Sequence, residues 1–312
     1  MKIPNYISSD EKRKAFGPKA YRQINTAREF DEWYAVESKT DECVFRGIKE
    51  ASYKNFTSAQ RHQMLFDLPG KDTTAIVAKE LEQLRKTHGH LLEAYCTSQA
   101  LPCSDLFLLS LAQHHGGISP LLDFTHNLNT ALFFMTDGAS MPDAGADKGE
   151  LGNYVSLYLF QKKNMLSLEQ MTDSPAKILA PFSDKMSYEE MHANLIDSCL
   201  RVFSHGIFSL SWRERFVLIE NRPFIKKIGD RIVGIPLIIT NLNIVAQQGC
   251  FVYSDKDLMP IDKGLGCIDI HKSLVPYIVR KYLVGYTHET MYPQEESIMQ
   301  TALFNAMTEI HK

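Results

Sequence analysis

Short apolar runs interrupted by single polar residues set the pattern of this chain. Ile76, Leu81, Leu84 and Leu91 recur at near-helical spacing between residues 73 and 94, which predicts a long helix interrupted at Gly89. A second helix is expected over residues 104–113, capped by Ser104 and stopped by Gly116-Gly117. Residues 26–38 predict a short helix with Phe30, Trp33 and Val36 on one side, and the mixed charges of residues 8–14 before it predict a solvated lead-in.

The run Cys43-Val44-Phe45-Arg46-Gly47, if extended, puts Val44 and Arg46 on one face and Phe45 on the other. Leu121-Leu122-Asp123-Phe124-Thr125 reads as a buried strand, and residues 127–130 as a turn capping a helix that begins near Ala131. A loop rich in glycine follows at 136–152, and strand alternation then resumes at 153–159 with Val155, Leu157 and Leu159 on one face. Further strands are expected at 215–220, 232–239, 244–247 and 250–253, the last two turning tightly about Gln248-Gly249. Helices at 272–283 and 295–309 complete an α+β pattern without internal repeats.

Composition narrows the function without naming it. The chain of 312 residues is 44% hydrophobic and 23% charged, the profile of a globular protein rather than a disordered one. Its formal charge of −3 provides no global field for a polyanion, so nucleic-acid contact requires a local basic patch. Arg222, Lys226, Lys227 and Arg231, beside Trp212-Arg213-Glu214-Arg215, form one candidate; a solvated charged face is the other reading. No run of apolar residues predicts a membrane span or a leader, and six cysteines without a CxxC pair predict reduced thiols in a cytoplasmic protein. His62, His88 and His90 have no partners at metal-site spacing, so no metal is expected. P-loop, GxGxxG, GxSxG and HExxH motifs are absent.

Three segments place Arg, Asp or Gln inside apolar strands, where such groups are costly unless paired or used by a ligand: VFRG at 44–47, QHHG with LLDFT between 113 and 125, and AQQG at 246–249. These segments resemble the signature regions of the FRG domain family. The matching residues in the middle segment are Gln113, His114, Gly116, Leu121 to Thr125, Asn127 or Asn129, Ala131, Leu132 and Phe134. Ile118-Ser119-Pro120 replaces the family's usual Pro-Thr-Arg insert and lacks its basic side chain. The similarity, ending near Met291-Tyr292-Pro293 and the helix after it, implies one α+β domain over residues 41–305 with a helical insert at about 56–113, preceded by a helical or extended lead-in over 1–40.

The family is in turn similar to the ADP-ribosyltransferase fold. That resemblance implies a mixed split sheet, with helical decorations in the N-terminal half and at the C-terminus, that binds NAD in a cleft. It implies an NAD-dependent mono-ADP-ribosyltransferase acting on a nucleic acid, DNA included, or on a protein, as a toxin or anti-phage effector with an antagonist protein as partner. NAD is then a substrate, and neither metal nor membrane takes part. Arg46, Gly47, Gln113, Thr125 and Phe134 are the implied NAD-binding residues, and Gln247, Asp123 and His114 the implied catalytic ones. Gln247 stands where many such transferases carry a Glu, and an amide hydrogen-bonds a ribose hydroxyl but takes no proton. Plainer readings stay open: Arg46 paired structurally with Asp123, Thr125 capping a strand end, and one of His114 and His115 only hydrogen-bonding. At the level of function, the alternatives are a non-catalytic nucleotide-binding or interaction module and an NAD hydrolase.

Overall fold

The computed structural model describes residues 3–66, 73–98, 103, 105–114, 116–139, 150–167, 180–182, 184–187, 190–191, 216–220, 224–235, 242–254 and 258–293. Its centre is an eight-stranded mixed sheet in the order β1-β10-β4-β2-β3-β9-β6-β5. The strands are β1 (Tyr21–Ile24), β2 (Cys43–Ile48), β3 (Leu121–Thr125), β4 (Tyr154–Gln161), β5 (Met165–Ser167), β6 (Phe216–Glu220), β9 (Gly249–Tyr253) and β10 (Leu265–His271). β7 (Phe224–Ile228) and β8 (Arg231–Ile235) pair separately as a two-stranded ribbon. β1 joins β10 and β5 joins β6 in parallel, and the pairings between them are antiparallel.

Alternation along the central strands sends side chains to two faces. Val44, Leu122, Phe124, Tyr158, Val252 and Cys267 belong to a core on one face. The other face is covered by two separate groups of helices. Helices α3 (Ser58–Leu65), α4 (Thr73–Ser98) and α5 (Asp105–His114) cover β3, β9 and β6 through Val77, Leu106, Leu109, Leu121, Ile219 and Phe251. Helices α2 (Ala27–Glu37), α6 (Leu128–Thr136) and α8 (Val275–Tyr282) cover β10, β4 and β2 through Phe30, Phe45, Leu132, Leu157, Ile270 and Ile278. The two helical layers meet over the junction of β2 and β3.

That junction is where the sheet opens. β2 pairs with β4 along its whole length, from Cys43 opposite Gln161 to Ile48 opposite Ser156, whereas it meets β3 only at Phe45 opposite Thr125. β3 pairs fully with β9 on its other side. Beyond Phe45 the facing edges of β2 and β3 diverge, leaving backbone groups of β3 for side chains or ligands to satisfy.

The solvated lead-in expected over residues 8–14 is instead helix α1 (Ser9–Phe16), with Ser8 as its N-cap. Lys12 and Asp269 are fully buried. The lysine Nζ donates to Asp269 Oδ1 (2.5 Å), Ser156 Oγ (2.8 Å) and the Ala51 carbonyl (2.9 Å), and Tyr21 Oη donates to Asp269 Oδ2 (2.8 Å). A polar segment is thus locked into the core because its cation finds all its acceptors there, which the sequence pattern does not disclose. Lys12→Ala strands the Asp269 charge, and an equilibrium urea titration should show a loss of about 3–5 kcal/mol; a loss below about 1 would contradict this packing.

Three further expectations are corrected. α4 runs unbroken through Gly89, because one half-buried helical glycine costs only about 1 kcal/mol in a helix of 26 residues. Leu91, expected on its apolar stripe, is exposed. The strand expected at 244–247 is the short helix α7 (Leu242–Ala246), followed by a turn before β9. Its apolar run is too short for periodicity to separate strand from helix. The helix expected at 295–309, along with Ser104, His115, Cys199, Arg222 and residues 212–215, lies outside the described residues.

Candidate functional site

A cavity of about 280 Å³ opens at the β2–β3 junction, lined by Phe45, Arg46, Gly47, Gln113, His114, Asp123, Phe124, Thr125, Phe134, Gln247 and Tyr292. Residues distant in sequence thus converge from β2, the end of α5, β3, α6 and the turn after α7. Every NAD-binding or catalytic candidate drawn from the sequence lies on this wall. Tyr292, to which the sequence assigned no role, faces Phe134 edge-on at 6.1 Å between ring centroids.

Arg46 occupies the gap between the diverging strands. Its Nη1 donates to the Asp123 carbonyl (2.7 Å), satisfying a β3 edge group that lacks a ladder partner, and lies 3.9 Å from Asp123 Oδ2. Burial lowers the Arg46 pKa from its ordinary value, and Asp123 opposes that shift. Arg61 on α3 has its pKa lowered by partial desolvation, again opposed by Asp123. Asp123 therefore acts electrostatically on both guanidinium groups, and Arg61, outside the lining of this cavity, is a neighbour that the sequence motifs left out.

Gln113 Nε2 donates to Asp123 Oδ2 (2.8 Å). A carboxylate only accepts, so this bond fixes the amide orientation and directs Oε1 away from Asp123. Gln113 Oε1 and Arg46 Nε are buried and have no hydrogen-bond partner among the described residues. Both atoms belong to residues that line the pocket, and an unmet buried acceptor or donor costs about 1–3 kcal/mol. Asp123 is the only carboxylate among the described residues lining this cavity.

Of the sequence candidates, Gln247 holds a position different from the one its motif implies, and Thr125 and His114 make structural contacts. Thr125 Oγ1 donates to the Gln247 carbonyl (2.6 Å) and accepts from Asn127 N (3.0 Å), so this buried hydroxyl ties the end of β3 to the turn before β9. Gln247 does not project from a strand: it follows α7, and its Nε2 donates to the Met291 carbonyl (2.8 Å) at the end of helix α9 (His288–Met291). Gln248 beside it is exposed, with φ 47° in the left-handed region. The His114 ring packs edge-on against Phe251 at 5.8 Å.

Gly47 has a structural reason of its own. A Cβ there would fall on the Ala131 carbonyl oxygen and 2.7 Å from Met135 N, so the absent side chain lets α6 lie directly on β2. Phe45 is buried beside it in the core shared with α6. The order Phe-Arg-Gly therefore reads as anchor, gap-filling guanidinium and helix seat.

A family model, the FRG domain, matches residues 41–144. Over that stretch, a third of the chain, the protein is similar to the FRG domain family. The matched FRG stretch contains β2, α3 to α6 and β3, hence both edges of the open junction and every candidate except Gln247 and Tyr292. The rest of the sheet comes from outside that stretch: β4 and β9 flank β2 and β3, and β1 and β10 extend it. No curated protein matches the chain. No solved structure matches it either. Among the described residues no cluster of His, Cys, Asp and Glu suits a metal ion, and no helix is long and apolar enough to cross a membrane. Of the basic candidates at 222–231, Lys226, Lys227 and Arg231 lie in the separate β7–β8 ribbon.

Proposed function

We propose that the cleft at the β2–β3 junction binds NAD and that the protein transfers ADP-ribose from it to a nucleophile on a nucleic acid or a protein. The observation carrying this reading is a pair of buried polar atoms without partners on pocket-lining residues, Gln113 Oε1 and Arg46 Nε, beside the only carboxylate among the described lining residues. The nicotinamide carboxamide offers an amide donor and a carbonyl acceptor, the complement of that pair. Phe134 and Tyr292 give its ring an apolar flank. Arg46 and Arg61 provide planar cations for the diphosphate, standing in for the basic side chain absent from residues 118–120. The reading takes the open mixed sheet, with an arginine at its gap, as a sheet of the ADP-ribosyltransferase kind.

The chemistry follows from charge. As the bond from the ribose C1′ to the pyridinium nitrogen breaks, its electron pair leaves with neutral nicotinamide and positive charge grows on the ribose. The Asp123 carboxylate stabilises that charge and accepts the proton lost by the attacking group. Gln247 acts by position: its bond to Met291 holds the segment carrying Tyr292 against the pocket. Gln247→Ala should therefore lower the rate of nicotinamide release about tenfold, and Gln248→Ala less than twofold, since Gln248 points into solvent. Equal effects in the same release assay would contradict this placement.

A second reading, a nucleotide-binding module without turnover, is favoured by one fact: the Thr125 hydroxyl and the Gln247 amide are both committed to backbone groups. Purified protein incubated with NAD labelled in the adenylate half separates the cases. Release of nicotinamide with label on DNA, RNA or protein is expected; release alone marks a hydrolase, and neither marks the module.

A further inference from the structure

A second groove, of about 680 Å³, adjoins the first and shares Arg46, Gly47, Phe134 and Tyr292 with it. We infer that this groove is the acceptor site and that its acceptor is a single-stranded nucleic acid; only the chemical step rests on the NAD reading. Its wall carries Lys49, Lys54 and Arg61 beyond the shared Arg46. Asp137 is the only carboxylate among its described lining residues, and His288 Nε2 holds it at 3.1 Å. Lys54 is partly neutralised by Glu11 at 2.8 Å, whereas Lys49 and Arg61 are exposed and form no ion pair among the described residues. Such a concentration of positive charge on a chain of net charge −3 marks a site for a polyanion.

The second ingredient is aromatic. Tyr53 is 45% exposed at the groove, and its side chain makes no hydrogen bond or ring contact among the described residues. Its backbone is fixed by a bridge to Asn5 and by the Tyr158 hydroxyl. A rigidly mounted, unstacked ring beside free cations is the arrangement that binds a base and its phosphate together. Bases in a duplex are already stacked and offer no such face, which selects a single strand. In the reaction a base amine attacks C1′ as nicotinamide leaves with the bonding pair, and the amine proton passes to Asp123.

Fluorescence anisotropy with a short labelled oligonucleotide, without NAD, tests the groove on the whole protein. Single-stranded DNA or RNA is expected to bind at least about tenfold more tightly than the corresponding duplex. Tyr53→Ala should weaken binding about tenfold or more. Lys49→Ala should flatten the slope of log affinity against log salt by about 0.7, for the one phosphate no longer neutralised. These are surface substitutions, and circular dichroism is expected to be unchanged. Absence of binding, a preference for duplex, or binding indifferent to both variants overturns the inference. Oligonucleotide binding without nicotinamide release keeps the groove and removes the NAD reading. Nicotinamide release with label on protein alone removes the groove and keeps the NAD reading.

Discussion

Gly47→Ala is expected to leave little folded protein, with a destabilisation of at least about 4 kcal/mol in a urea titration, far above the effect of a typical single substitution. The added methyl would meet the Ala131 carbonyl and the Met135 amide of α6, and both belong to a helix backbone rather than to flexible side chains. Ala131 and Met135 are fully buried, so α6 has no room to retreat without opening the core it shares with Phe45 and Leu157. Such a loss consumes much of the roughly 5–15 kcal/mol that holds a domain together. A stable Gly47→Ala protein that had lost only NAD binding would instead assign the glycine to the ligand.

Arg46→Ala is expected to fold and to lose function. The guanidinium makes one hydrogen bond to the Asp123 carbonyl and a longer contact to its carboxylate, worth about 1.5–3 kcal/mol in stability. The ligand loses more, since its open Nε and its positive charge are both removed. NAD affinity by calorimetry should fall about a hundredfold, with nicotinamide release dropping at least as far. Arg46→Lys should recover stability better than affinity, because an ammonium supplies charge but not the planar fork. A molten Arg46→Ala protein would mean that the arginine serves the sheet alone.

Much of the junction was legible in the sequence because its polar residues interrupt apolar strands. Arg46 and Asp123 stood out for that reason, and alternation placed Val44 and Phe45 on opposite faces, as their separate cores confirm. Gln247 was read in the wrong element: an apolar run as short as Ile244-Val245-Ala246 fits strand and helix alike, and the Gln247 bond to Met291 depends on a segment far along the chain. Lys12 was read as solvated because burial of a lysine depends on acceptors as far along the chain as Asp269. Arg61 and Tyr292 carried no local signal, since an arginine on a polar helix and a tyrosine before a proline look ordinary until the fold brings the tyrosine to the cleft and the arginine to the groove beside it.

A crystal of the protein soaked with NAD tests the central claim most directly. The account predicts the nicotinamide end in the β2–β3 cleft, its carboxamide between Gln113 Oε1 and Arg46 Nε, and the diphosphate toward Arg61. A dinucleotide bound elsewhere, or an empty cleft at saturating NAD with the open donor and acceptor met by water, would contradict it.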